Sequence, residues 1–148
     1  MDHPLDHPIW TALTTRQELF AEVAGGIRRY RPAFGPFAAS ADNTAESFAA
    51  LASLVPPSGQ VCLQQEAEIK APPGLVLLRT VPTVQMVAER IEGPRDAFEI
   101  EVLSAADAPE MLALAQLTKP GPFFARTPEL GRFVGVRHEG GPMAEFNL

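Results

Sequence analysis

A single cysteine, Cys62, stands in a chain of 148 residues that also has one tryptophan and one tyrosine. One thiol makes neither an internal disulfide nor a multi-cysteine zinc site. Positive charge is scarce as well: twelve Lys and Arg against eighteen Asp and Glu give a net charge of −6. A protein that tracks nucleic-acid phosphates normally carries a basic face, so that class of partner is set aside. Charge, Pro or Gly breaks every apolar run within a few residues, which leaves no membrane span. The opening MDHPLDHPIW is acidic and lacks the apolar core of a signal peptide. What remains is 46% hydrophobic and 20% charged, the balance of a globular chain. A cytoplasmic protein is the expectation.

Prolines are abundant, fifteen in all, and many sit in turn-like pairs such as Pro56–Pro57, Pro72–Pro73 and the GP steps at Pro94 and Pro122. Each fixes its own φ and turns the preceding residue away from helix, so many short elements alternate. Thr15 with Glu18 has capping-box spacing, and RQELFAEVA predicts a helix with Leu19, Phe20 and Val23 on one face, ended by Gly25–Gly26. Asn43 with Glu46 repeats the capping signal before a stripe of Phe48, Leu51, Leu54 and Val55. QVCLQQE, LVLLRT and TVQMVAER read as strands, the first two separated by the turn signal APPG.

EGPRDA, residues 92–97, is polar and turn-rich, and reads as a linker. Beyond it FEIEVL is an expected strand. Ser104 with Asp107 caps a helix carrying Met111, Leu112, Leu114, Ala115 and Leu117, and TKPGPF breaks that helix. Thr127–Pro128–Glu129 predicts a second, short helix, with proline at its first position and an acid near its positive end. RFVGVRHEG is then a strand entering a hairpin turn. Only seven residues follow HEGG, and GPMAEFNL does not resemble the apolar strand such a turn should lead into.

The order strand, long helix, Pro/Gly break, short helix, strand, hairpin resembles the opening of a GNAT acyltransferase domain. VPTVQMVAER followed by IEVLSAADAPEMLALAQLTKPGPFFARTPELGRFVGVRHEG is similar to the two-lobed members of that family, as are HPIWTALTTR and YRPAFGPFAA. The resemblance runs from about His7 to Gly140. It implies a mixed α/β fold of α+β type. Residues 1–91 would form an N-terminal degenerate lobe, 92–97 the linker, and 98–148 the first strand-helix-helix-strand of an acetyltransferase domain. It further implies transfer of an acyl group from acetyl-CoA to a small-molecule amine. In the family a loop Arg/Gln-x-x-Gly-x-Gly/Ala opens a helix and presents backbone N–H groups to the pyrophosphate. The nearest spacing here runs from Arg137 through Gly140 and Gly141 to Pro142, with proline where glycine or alanine belongs. HEG aligns better with the family's earlier hairpin, so this match is rejected. The resemblance therefore implies a chain cut off before its acetyl-CoA loop, with no cofactor of its own and no activity alone.

Other residues allow sharper and plainer readings. His3 and His7 lie four apart, but a proline after each denies the helix that metal binding at that spacing needs, so a polar terminus is the plainer reading. Cys62 in an apolar strand pattern reads as a buried small hydrophobe rather than a nucleophile. Arg28, Arg29 and Arg31 flank Tyr30; ion pairs with nearby glutamates on a solvated edge compete with a phosphate strip. The resemblance offers Phe123 and Phe124 as an apolar wall of the acceptor groove, against a loop folding its rings into the core. His138, in a hairpin turn with no partner acid or base, is expected at the surface. The competing class is a non-enzymatic assembly module, since a last strand without its partner leaves an edge open to another chain.

Overall fold

A computed structural model gives the architecture, and describes residues 5–65, 68–90, 99–138 and 141–147, with backbone alone at 138 and 141–147. The chain forms two compact units, Met1–Pro32 with Pro36–Gln85, and Ala33–Gly35 with Met86–Leu148. The expected linker at 92–97 and His3 lie outside the described residues. No described helix is long and apolar enough to cross a membrane.

The first unit is a four-stranded sheet, β1 Ala21–Ala24, β2 Ile27–Tyr30, β3 Phe37–Ser40 and β4 Cys62–Leu63, in that spatial order. The helix predicted over RQELFAEVA does not form. Glu18–Phe20 makes one 3-10 turn and Ala21–Ala24 goes on as a strand, paired so that Ala24 faces Ile27. Gly25–Gly26 is therefore a two-residue hairpin turn and not a helix stop. Gly25 sits at φ +52°, a conformation that suits glycine, and a side chain on Gly26 would collide with Ser47. A helix forms earlier instead: α1 spans Pro8–Thr14, with His7 at its N-cap and Pro8 at its first turn.

Helix α2, Ala45–Leu54, confirms the second helical stripe, though the capping oxygen belongs to Thr44, which accepts from Ser47 N at 3.2 Å. It carries the chain from β3 across to the parallel strand β4. Side chains alternate along β2, and the two faces receive different helices. Ile27, with Ala38 of β3, packs against Phe48 and Leu51 of α2. Arg28 and Tyr30 point the other way, where the Arg28 guanidinium donates to Leu13 O at 3.0 Å and lies 5.8 Å over Trp10 of α1. The sheet is thus covered on both faces.

Two expected strands are not formed. LVLLRT and TVQMVAER form no strand and have no ladder partner among the described residues, and QVCLQQE keeps only Cys62–Leu63. Cys62, at the edge strand, is exposed rather than buried.

The second unit holds β5 Ile100–Val102, α3 Ala108–Thr118, β6 Phe133–His138 and β7 Gly141–Asn147, with one antiparallel sheet in the order β5-β6-β7. GPMAEFN does form a strand after all: β7 pairs along β6 from His138↔Gly141 to Phe133↔Asn147, across an irregularity at Val136/Arg137. The last strand has a partner, which corrects the expected open edge on β6. The backbone ladder supplies what the apolar pattern did not announce. Ser104 and Asp107 form the reciprocal capping box, around a 3-10 turn that leads into α3.

The first unit's core rests on few residues, so truncating one is costly. Replacing the 2%-exposed Leu51 with alanine should lower the free energy of unfolding by about 2–5 kcal/mol, read from urea titrations. An effect under about 0.5 kcal/mol would contradict the packing of α2 on β2.

Candidate functional site

The loop after α3 carries the residues the family resemblance singled out. Lys119 ends α3 in the left-handed region at φ +50°, its N–H returning to Ala115 O at 2.8 Å. The chain then reaches Phe123 and Phe124, whose rings have different surroundings. Phe123 stands edge-on to the buried Phe133 with ring centres 6.0 Å apart, a T-shaped contact inside its own unit. Phe124 is 37% exposed.

Thr127 organises this loop. Its hydroxyl accepts from Phe124 N at 2.8 Å and donates to Phe34 O at 2.8 Å. It does not cap the short helix Thr127–Leu130, a 3-10 turn with Arg126 at the cap position. Arg126 forks onto Glu129 through two bonds of 2.7 Å and lies 4.4 Å over the ring of Phe34, which is 2% exposed. Sequence reasoning missed Phe34. Nothing local marks it, because its partners are about ninety residues away in the chain.

Arg137 is held by three carboxylates: Glu101 of β5 at 3.2 Å, Asp107 at 2.6 Å and Glu110 of α3 at 2.5 Å. A guanidinium in that position neutralises its own unit's acids. Arg137 also pairs with Pro142 across β6 and β7, whereas a pyrophosphate cradle needs a helix N-terminus there. The described residues therefore do not fit the phosphates of acetyl-CoA. His138 ends β6 opposite Gly141.

In the first unit the arginine cluster resolves into separate roles. Arg29 is 5% exposed, donates to Leu54 O at the end of α2, and has Nε 2.9 Å from Glu22 without hydrogen-bond geometry. A cation there meets the negative end of the helix. Arg28 pairs with Glu18 at 3.4 Å. Tyr30 donates to Gln17, and burial raises its hydroxyl above the usual tyrosine range. Ion pairing with nearby glutamates is what Arg28 and Arg29 do, although Arg29 and Tyr30 are buried rather than solvated. His7 lines a polar cavity of about 120 Å3 with Ser40, Asp42, Asn43 and Gln64. That is well below the roughly 300–1,000 Å3 of small-molecule sites. No group of three His, Cys, Asp or Glu able to hold a metal occurs among the described residues.

Hydrogen bonds from the backbone and hydroxyl of Ser104, and then the charge of Arg137, hold the Asp107 carboxyl below the usual range. A depressed carboxylate contributes stability that is full above its unfolded value, near pH 4, and is lost as pH falls through its folded value. Asp107→Asn should therefore melt below the parent at pH 7. The gap should narrow progressively as pH falls below about 4, in thermal melts followed by circular dichroism. A gap that widens on acidification would contradict this assignment.

No family model matches the chain, and no curated protein does. A solved structure does: a protein of Novosphingobium aromaticivorans DSM 12444, assigned to the GNAT family as an acetyltransferase, is 38% identical and superposes with a TM-score of 0.81. The match takes in 97% of this chain and 63% of that protein, so this chain spans less than two thirds of its relative's length. Identity at that level across nearly every residue, on the same mixed α/β frame, shows that the chain shares the fold of that GNAT-family protein and is similar to it along the matched length.

Proposed function

We propose that this chain is the N-terminal part of a GNAT-type N-acyltransferase, which moves an acyl group from acetyl-CoA to a small-molecule amine in the cytoplasm. The observation that carries the reading is the 38% identity to a GNAT-family acetyltransferase over 97% of the chain. On this reading residues 1–91 are the first lobe, 92–97 the linker and 98–148 the start of the acyl-transfer domain. When bound, acetyl-CoA supplies an activated thioester carbonyl. This chain's share is to shape the acceptor side, with Phe124 exposed on a loop that Thr127 and Arg126 hold to Phe34. Held by its own backbone bonds, that loop is a pre-formed wall for the amine. No proton transfer is assigned to these residues, and on this reading the 148-residue chain alone is inactive.

The second reading, an assembly module that pairs through open strands, is favoured by Ile100 and Val102, 67% and 58% exposed on the edge strand β5. Calorimetric titration with acetyl-CoA separates the two. The folded 148-residue chain should give no heat of binding. The full-length Novosphingobium protein, titrated alongside, should bind at micromolar strength. Micromolar binding by the chain alone would place the cofactor on a surface not identified above. No binding by the folded Novosphingobium protein would remove the acyltransferase reading.

A further inference from the structure

Residues 33–35 lie in the connection from β2 to β3, yet Ala33–Gly35 belongs to the second compact unit, as does the loop after α3. Pro32 and Pro36 bracket them. Each proline fixes its own φ, so the bracketed stretch has little freedom to lose when it is held. At its middle Phe34 is one of the largest fully buried side chains, and Gly35 beside it is buried as well.

Three attachments join this stretch to the loop. Arg126 N donates to Ala33 O at 3.3 Å, the Thr127 hydroxyl donates to Phe34 O at 2.8 Å, and the Arg126 guanidinium lies 4.4 Å over the Phe34 ring. The hydroxyl bond has the most consequence, because a threonine hydroxyl carries one proton. With that proton directed at Phe34 O, only the lone pairs of the oxygen face the loop, and Phe124 N donates to them at 2.8 Å. Thr127 N returns to Phe124 O at 3.0 Å and closes the turn. The bonds therefore run in series from Phe124 N–H through the Thr127 hydroxyl to Phe34 O, and bonds in series strengthen one another. The backbone of Phe124 is fixed by a carbonyl that lies far away in the chain.

We propose that Phe34 is a positioning residue for Phe124: its carbonyl orients the Thr127 hydroxyl, its buried ring seats Arg126, and residues 119–127 keep one conformation only while residues 33–35 are held. The bearing of this on an acceptor amine rests on the acyltransferase reading above. To that reading it adds that the wall beside the amine is set by the β2–β3 connection, ninety-three residues before Thr127.

Amide hydrogen exchange on the 148-residue chain, read on peptides covering 119–127, tests this, with peptides from β2 and β6 as internal controls. Thr127→Val keeps the side-chain shape and removes the hydroxyl, whereas Thr127→Ser keeps the hydroxyl. Thr127→Val and Phe34→Ala should each speed exchange across 119–127 by roughly tenfold, the scale of one or two lost hydrogen bonds. Thr127→Ser should match the parent, and β2 and β6 should keep the parent's protection in every variant. Phe34→Ala combined with Thr127→Val should exchange no faster than the faster single variant, because both cut the same link. Where Phe34→Ala does not fold, Phe34→Leu takes its place with the same expectations. Unchanged exchange across 119–127 in either single variant would overturn the proposal. So would equal acceleration in β6, which is general loosening, or fully additive effects in the double variant. No cofactor enters this measurement. Failure of acetyl-CoA binding by the Novosphingobium protein would remove the acyltransferase reading and leave the positioning, and unchanged exchange would do the reverse.

Discussion

A β-strand persists only where a neighbour takes its backbone hydrogen bonds and another layer covers its side chains. Both units obey that constraint at their centres. Strand β2 lies between β1 and β3, with α2 packed on the face of Ile27 and α1 on the face of Arg28. Strand β6 lies between β5 and β7, and α3 packs against β7. Val76–Gln85 has the residues of a strand but no ladder partner among the described residues, and it stays exposed.

The charged groups follow the same frame. Arg29 ends α2 by meeting the carbonyl of Leu54, Arg126 joins Glu129 to the ring of Phe34, and Arg137 ties β5, α3 and the capping box to β6. Exposed ion pairs are individually weak, but three carboxylates on one guanidinium form a network. In an acidic chain these cations serve their own units' acids and helix ends, and a phosphate would have to compete with carboxylates already in place.

What could be read from the sequence was local. The Ser104–Asp107 box and the α2 stripe are signals completed within a few residues, and both appear in the structure. Gly25–Gly26 was ambiguous because a helix stop and a hairpin turn use the same residues; the pairing of Ala24 with Ile27 decides it. GPMAEFN lacks an apolar alternation, yet its backbone completes β6. IRRY draws attention by its charge and proves to be the central strand of its sheet. Strand propensity in LVLLRT was legible, but no described strand pairs with it. The organisation of the loop by Thr127 and Phe34 depends on a separation of ninety-three residues, which no local pattern reports. The family, in contrast, was carried by the wording of long segments, and the 38% identity accounts for that.

The incomplete pairing is tested most directly by amide hydrogen exchange on the 148-residue chain at neutral pH, read by mass spectrometry on peptides. Slow exchange is predicted at Ile27–Tyr30, Ala45–Leu54 and Phe133–His138, with Val76–Gln85 exchanging near the rate of a free peptide. Protection across Val76–Gln85 equal to that of β2 would contradict the account, because it would mean that the chain already holds the partner those residues require.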